Sequence, residues 1–160
     1  MSGTLVVRPP AVDEGPALAG VLGDMVAHYG QSVPSARMDE AVAMLLRPSR
    51  AGPFALVAVR EDGFVGIALF GEAFPAFALT RGLFLRDVWV SEAARGRGIG
   101  RALMAGLGRF ARAHGHTRIE WRTGRDNLPA QRLYAAIGAP PTDAVYYRLE
   151  GADLDRLAAG

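Results

Sequence analysis

Residues 83–107 read LFLRDVWVSEAARGRGIGRALMAGL, from Leu83 to Leu107, and the reading of this stretch decides the fold. Leu83 to Val90 is a hydrophobic strand, and an amphipathic helix begins near Gly98. Between them lies a loop of Arg95, Gly96, Arg97, Gly98, Ile99 and Gly100, with Arg101 opening the helix. Its glycines leave backbone amides uncovered, and its arginines add positive charge. The unpaired N–H groups of a helix start point into the same space, so a diphosphate is the expected guest.

Known phosphate loops narrow the choice. A dinucleotide fingerprint needs Gly-x-Gly-x-x-Gly, but the third position after Gly96 and Gly98 is Arg101. A nucleoside-triphosphate loop needs Gly-Lys-Ser/Thr, and the chain has no lysine. Arg-x-x-Gly-x-Gly fits, at Arg95, Gly98 and Gly100.

Composition sets the frame. With 160 residues, half of them hydrophobic and 21% charged, the chain is expected to form a single domain spanning residues 1–160. A net charge of +2 is too small for a general nucleic-acid surface. The absence of cysteine excludes disulfides, a cysteine nucleophile and thiolate metal sites, and no metal centre is expected. The start, MSGTLVVRPP, lacks the apolar core of a signal peptide, and no run reaches membrane-spanning length. A soluble cytoplasmic protein is the expectation.

Along the chain, Thr4 to Arg8 reads as a strand. Asp13 is placed to cap a helix reaching His28, with Leu18, Val21, Leu22, Met25 and Val26 on its apolar face. Tyr29-Gly30 breaks it, and a second helix runs from Met38 to Leu46. Phe54 to Arg60 and Phe64 to Phe70 flank Glu61-Asp62-Gly63, an antiparallel hairpin signal. After the central strand, Ile99, Leu103, Leu107 and Phe110 form the stripe of a helix reaching Ala113. Thr117 to Arg122 alternates as a half-buried strand. A helix from about Pro129 to Ile137 ends at Gly138, Val145 to Glu150 reads as a last strand, and Ala152 to Ala158 as a terminal helix.

The Arg/Gly motif, its position between LRDVWV and an amphipathic helix, and this order of elements resemble the GNAT superfamily of acetyl-CoA-dependent N-acetyltransferases. The resemblance implies an α/β (α+β) fold: a mixed, mostly antiparallel sheet flanked by helices, whose fourth and fifth strands splay apart. It implies that Arg95, Gly96, Arg97, Gly98, Ile99, Gly100 and Arg101 hold the coenzyme A pyrophosphate. The pantetheine arm would then pair with the backbone of Val88, Trp89 and Val90 and meet Asn127. Tyr134, seven residues after Asn127 and so about 10 Å away on the same helix face, would lie at the thioester sulfur as general acid, or as a hydrogen-bond donor to the sulfur only. Homodimers are common in the family, and the apolar C-terminal strand is a plausible contact.

An attacking ammonium must first lose its proton, so a base is needed. Asp87 and Glu120, on the two splayed strands, are the carboxylate candidates, with Glu72 and His28 as lesser ones. Arg86 and Asp87 are neighbours, so only a bulge would turn both into the cleft. Within the superfamily the chain is closest in pattern to the diamine (spermidine/spermine-type) acetyltransferases. It shares Glu120-Trp121, Asp126-Asn127, the tract from Ala130 to Tyr134, Ile137-Gly138-Ala139, and Arg148-Leu149-Glu150-Gly151 with Leu154 and Leu157. That family carries Glu-Asp where this chain has Arg86-Asp87, and Tyr-Glu where it has Tyr29-Gly30. Two lost carboxylates and a gained cation weaken a polycation site. Tyr29, Arg86 and Asp87 are thus expected to bind the primary amine of a small molecule, amino acid- or diamine-like, and an amine that also carries a carboxylate suits Arg86 better. A protein or peptide N-acetyltransferase, and a non-catalytic acetyl-CoA sensor, are the alternatives.

Overall fold

The computed structural model describes residues 3–61 and 63–160. Strand β1 (Val6–Arg8) precedes helices α1 (Gly15–His28) and α2 (Ser35–Leu46). Strands β2 (Phe54–Arg60), β3 (Gly63–Ala73) and β4 (Gly82–Val90) follow. A 3-10 turn at Glu92–Ala94 leads into α3 (Ile99–Ala113), then β5 (Arg118–Trp121), α4 (Leu128–Ala136) and α5 (Ala152–Ala158). Asp62, in the expected hairpin turn, lies outside the described residues.

The five strands lie side by side in chain order, antiparallel except for the parallel pair β4–β5. The sheet is mixed and mostly antiparallel, as expected. Alternation along each strand sends side chains to two separate cores. On one face α3 lays Ile99, Leu103 and Leu107 against Leu56, Leu83 and Leu85. On the other, Leu18, Leu22 and Met25 of α1 and Leu45 of α2 cover Val57, Ile67 and Trp89. Leu103 is fully buried, so Leu103→Ala would cost about 2–5 kcal/mol.

Strand β4 carries one irregularity. Leu69 pairs with Asp87 but Phe70 pairs with Leu85, so Arg86 is an extra residue in the ladder. The bulge inverts the alternation. Leu83 and Leu85 face α3, whereas beyond Arg86 it is Val88 and Val90 that do so. Trp89 is thereby turned to the α1 side. Asp87, two residues before Trp89, turns with it.

Two expectations need correction. Asp13 does not cap α1. Glu14 holds the cap position, and its carboxylate accepts the Ala11 amide at 2.7 Å and the Arg8 guanidinium at 2.6 and 2.7 Å. The Arg8 hydrogen bond is the main reason its pKa falls to about 2. Nor is Val145 to Glu150 a strand: residues 139–150 have no regular structure. Alternating side chains suit a strand, but only a neighbouring backbone makes one. The segment forms no ladder with four-residue β5 and stays exposed.

Candidate active site

The parallel pair runs from Gly82 opposite Arg118 to Leu85 opposite Trp121 and stops there. β4 continues through Arg86 to Val90, still paired with β3 on its far side, while β5 has ended. The sheet therefore splits, as expected of the fourth and fifth strands. Along the split, β4 offers main-chain N–H and C=O groups to an extended ligand. The Val90 carbonyl is already engaged by Arg95 Nε at 3.1 Å, which leaves the Val88–Trp89 portion freer. The Trp89 indole is buried, with Nε1 unpartnered, so its backbone is the part that faces the split.

At the far end of the split stands the Arg/Gly loop. Gly96 and Gly98 have φ of 73° and 76°, the left-handed region where a side chain is strained. A Cβ on either would meet nothing within 4 Å, so the main chain is open to solvent or ligand. Among the described residues, none of the amides of residues 96–101 donates to a carbonyl, and α3 has no side-chain cap. This cradle of bare donors at a helix start fits a pyrophosphate. The arginines divide their work. Arg95 reaches back to the Val90 carbonyl and His28 Nδ1, and Arg101 donates to the Ala136 carbonyl at 3.3 Å, at the end of α4. Both brace the loop, and Arg97, exposed, has no hydrogen bond among the described residues. Gly100 serves another purpose: a Cβ there would sit 3.2 Å from Leu133, so it lets α4 approach α3.

Three of the expected groups come together where the two layers meet. Asp87 is half-buried, and burial raises its pKa although the positive charges of Arg86 and Arg122 pull it down. Tyr29, at the end of α1, has its pKa raised by burial and then by the Asp87 charge, with Arg95 opposing. Tyr134, on α4, is raised by burial and by Tyr29. Its ring meets Trp121 edge-on at 5.1 Å. Tyr29 thus stands within electrostatic reach of both Asp87 and Tyr134, although the three come from α1, β4 and α4.

The remaining candidates stand apart. Glu120 points outward beside Arg118 at 3.7 Å and is 51% exposed. Glu72 is bound to Arg81 at 2.6 Å and lies 3.4 Å from the buried His116, in the stretch where β4 and β5 are still paired. His28 touches Arg95, meets Tyr29 edge-on and lies tilted against Trp89. Asn127 caps α4, its Oδ1 accepting the Ala130 amide at 3.3 Å, which leaves its amide nitrogen for a ligand.

A cavity of about 400 Å3 opens where the pair parts, lined by Arg86 and Asp87 from β4 and by residues 122–124 after β5. Its other wall is Tyr146 and Arg148, with the Tyr146 ring 3.7 Å beneath the Arg122 guanidinium. Sequence reasoning missed Arg122, Tyr146 and Arg148. The even-numbered polar positions of the 145–150 alternation were the available signal, once read as a wall instead of a strand. Among the described residues no cluster of three or more His, Cys, Asp or Glu offers a metal site. No helix among them is long and apolar enough to cross a membrane.

Known proteins bear out the architecture. The chain is 27% identical to an integron cassette protein from the mobile metagenome of V. cholerae, with a TM-score of 0.83 over all of this chain and 99% of that one. An aminoglycoside N-acetyltransferase in complex with CoA shares the fold at 16% identity, TM-score 0.78, over 94% of this chain and 97% of that one. An L-ornithine N5-acetyltransferase of Arabidopsis thaliana is 30% identical over 74 residues, 46% of this chain. The chain spans only about a third of that protein's length, the match covering 32% of it. The profile of the Acetyltransferase (GNAT) family matches residues 23–139, which include the split, the Arg/Gly loop and α4, and the chain belongs to that family.

Proposed function

We propose that the chain transfers the acetyl group of acetyl-CoA to the primary amine of a small molecule that also carries a carboxylate, with both substrates bound together. The observation that carries this reading is the β4 bulge, because it sets Arg86 and Asp87 side by side in the cavity at the mouth of the split. Arg86 supplies an anion site next to the carboxylate that receives the ammonium. A diamine has no use for the first. The ornithine acetyltransferase likeness agrees, since ornithine is an amine that bears a carboxylate.

Acetyl-CoA, when bound, supplies the activated acyl group; the chain's residues hold it and manage protons. The bare amides of residues 96–101 and Arg97 receive the pyrophosphate, and the β4 edge at Val88 and Trp89, with Asn127, takes the pantetheine arm. An alkyl ammonium with a pKa near 10.4 costs about 4–5 kcal/mol to deprotonate at neutral pH. Asp87, made more basic by burial, draws the ammonium in and takes a proton in concert with attack, as bonding to the carbonyl carbon acidifies the nitrogen. Tyr134 faces the departing sulfur. A phenol near 10 giving its proton to a thiolate near 8.5 is already uphill by about 2 kcal/mol, and burial raises Tyr134 further. Donation of a hydrogen bond to the sulfur, without full transfer, is therefore the role its environment favours.

The test is thiol release measured against amino acids, diamines, aminoglycosides and peptides. Tyr134→Phe should lower kcat about ten-fold or more with little change in acetyl-CoA affinity. Equal loss in affinity would assign Tyr134 to binding instead. The same reading makes the protein a cytoplasmic homodimer, supported by the absence of cysteine and by outward-facing Val145, Tyr147 and Leu149. A monomer in sedimentation equilibrium at micromolar concentration would remove the dimer.

A further inference from the structure

The geometry points to an acceptor amine that carries a dianion, either two carboxylates or one phosphate, seated among Arg86, Arg122 and Arg148. This inference rests on the acetyl-transfer reading and sharpens its substrate class. The cavity holds three guanidinium groups against one carboxylate, Asp87. Among the described residues, neither Arg86 nor Arg122 has a carboxylate oxygen within 4.0 Å, and the Arg148 partner, Glu150, is distant at 3.9 Å. Arg8 and Arg81, by contrast, each hold a glutamate through two nitrogens.

Arg122 is held without spending its donors. Its guanidinium lies over the Tyr146 ring at 3.7 Å, and stacking of this kind fixes the plane while leaving the N–H fork free for a planar anion. The segment after α4 supplies this geometry: Tyr146 and Arg148 line the cavity, Tyr146 at 57% exposure against 73% and 85% for its neighbours Val145 and Tyr147. The stretch that fails to become a strand thus becomes the specificity wall. Three cations converging in a concave site repel one another until an anion enters. If Asp87 meets the incoming ammonium, one carboxylate would leave guanidinium donors unanswered, and a dianion answers them. The cavity, at about 400 Å3, suits a small molecule of this kind.

The experiment compares matched acceptors on the full chain by thiol release: L-glutamate and phosphoethanolamine as the two dianion arms, L-ornithine with one carboxylate, and 1,4-diaminobutane with none. At least one dianionic amine should exceed ornithine about ten-fold in kcat/KM, and ornithine should exceed the diamine. Arg122→Gln and Arg148→Gln, each compared on the plateau of its own pH profile, should raise KM for the preferred dianionic amine about ten-fold while KM for acetyl-CoA stays as it is and the diamine shows no comparable rise. Preference for the diamine, or variants that slow every acceptor equally, overturns the inference while leaving acetyl transfer intact. Titration of glutarate and inorganic phosphate by calorimetry separates the two readings. If no amine releases thiol yet either anion binds the wild type and not Arg122→Gln, the anion pocket stands and the transfer reading falls. If neither anion binds and no dianionic amine is preferred, the pocket falls.

Discussion

At the Gly82 end of the parallel pair, Arg81 gives its Nε and Nη2 to Glu72 and its Nη1 to the His114 carbonyl at 3.1 Å. His116, 3% exposed, approaches the same carboxylate, and the Thr117 amide donates to the Arg81 carbonyl at 2.9 Å. At the Leu85 end, only four residues further along β5, Arg86 and Arg122 face a cavity with no such partner among the described residues. The donors spent at the first end tie β3, the end of α3 and the starts of β4 and β5 together. Donors left unspent at the second lie where the strands have parted. The same residue type therefore fastens the sheet at one end and waits for a ligand at the other. What decides the difference is whether a carboxylate stands within reach on the neighbouring strand.

The most damaging way to break this contrast is to empty the open end of its acid. Asp87→Asn should lower kcat/KM by about 10²- to 10³-fold, the loss expected of a positioned base, with little change in thermal stability. The pH profile adds a sign. Burial raises the Asp87 pKa, so the rate should climb with pH through a limb above the ordinary aspartate value of 3.8 and flatten in the asparagine variant. Arg122 pulls that pKa down, so Arg122→Gln should shift the limb to higher pH. A limb that ignores both variants would move the base elsewhere, with Glu120 the next to try.

A smaller effect is expected at the coenzyme loop. Gly98 holds a φ of 76° with open space around its missing side chain, so Gly98→Val is opposed by backbone strain alone. That strain is about 1–2 kcal/mol, and relieving it would tilt the amides away from the phosphate and weaken acetyl-CoA binding roughly ten-fold. Arg97→Ala should cost less, about three-fold, and its effect should fade at high salt because the side chain is exposed. Calorimetric titration with coenzyme A at two salt concentrations reads both.

Much of this was legible in the sequence, and the reasons are local. The Arg/Gly loop, the hairpin and the α3 stripe follow from glycine placement and apolar spacing, which short-range physics fixes. The bulge is only a condition at the sequence level, because a one-residue phase change in LFLRDVWV needs the partner strand to reveal it. Glu14 displaced Asp13 at the first cap because Arg8, six residues earlier, draws its carboxylate into a clasp. The failed strand at 145–150 has the most instructive cause: its alternation is real, but the partner it needs is a four-residue edge, and Tyr146 is held by Arg122 instead. The Arg101 contact with the Ala136 carbonyl is invisible at the sequence level because that carbonyl comes from a helix thirty-five residues away.

The closed end gives the mildest test and the cleanest sign. Glu72 has its pKa lowered to about 2 from an ordinary 4.5, chiefly by the Arg81 hydrogen bond and further by His116. A carboxylate whose pKa falls on folding adds stability above its unfolded value and loses it as pH drops toward the folded one. The contribution is therefore complete above about pH 4.5 and gone near pH 2. Glu72→Gln should melt a few degrees below the wild type at pH 7, by the scale for a domain of this size, and the gap should close across that window. Arg81 is 34% exposed, which keeps the effect modest. Because Glu72 lies among paired strands and away from the split, kcat/KM should hold. Should the variant instead lose activity with its melting temperature intact, the two ends would have exchanged roles, and Glu72 would return as the catalytic base.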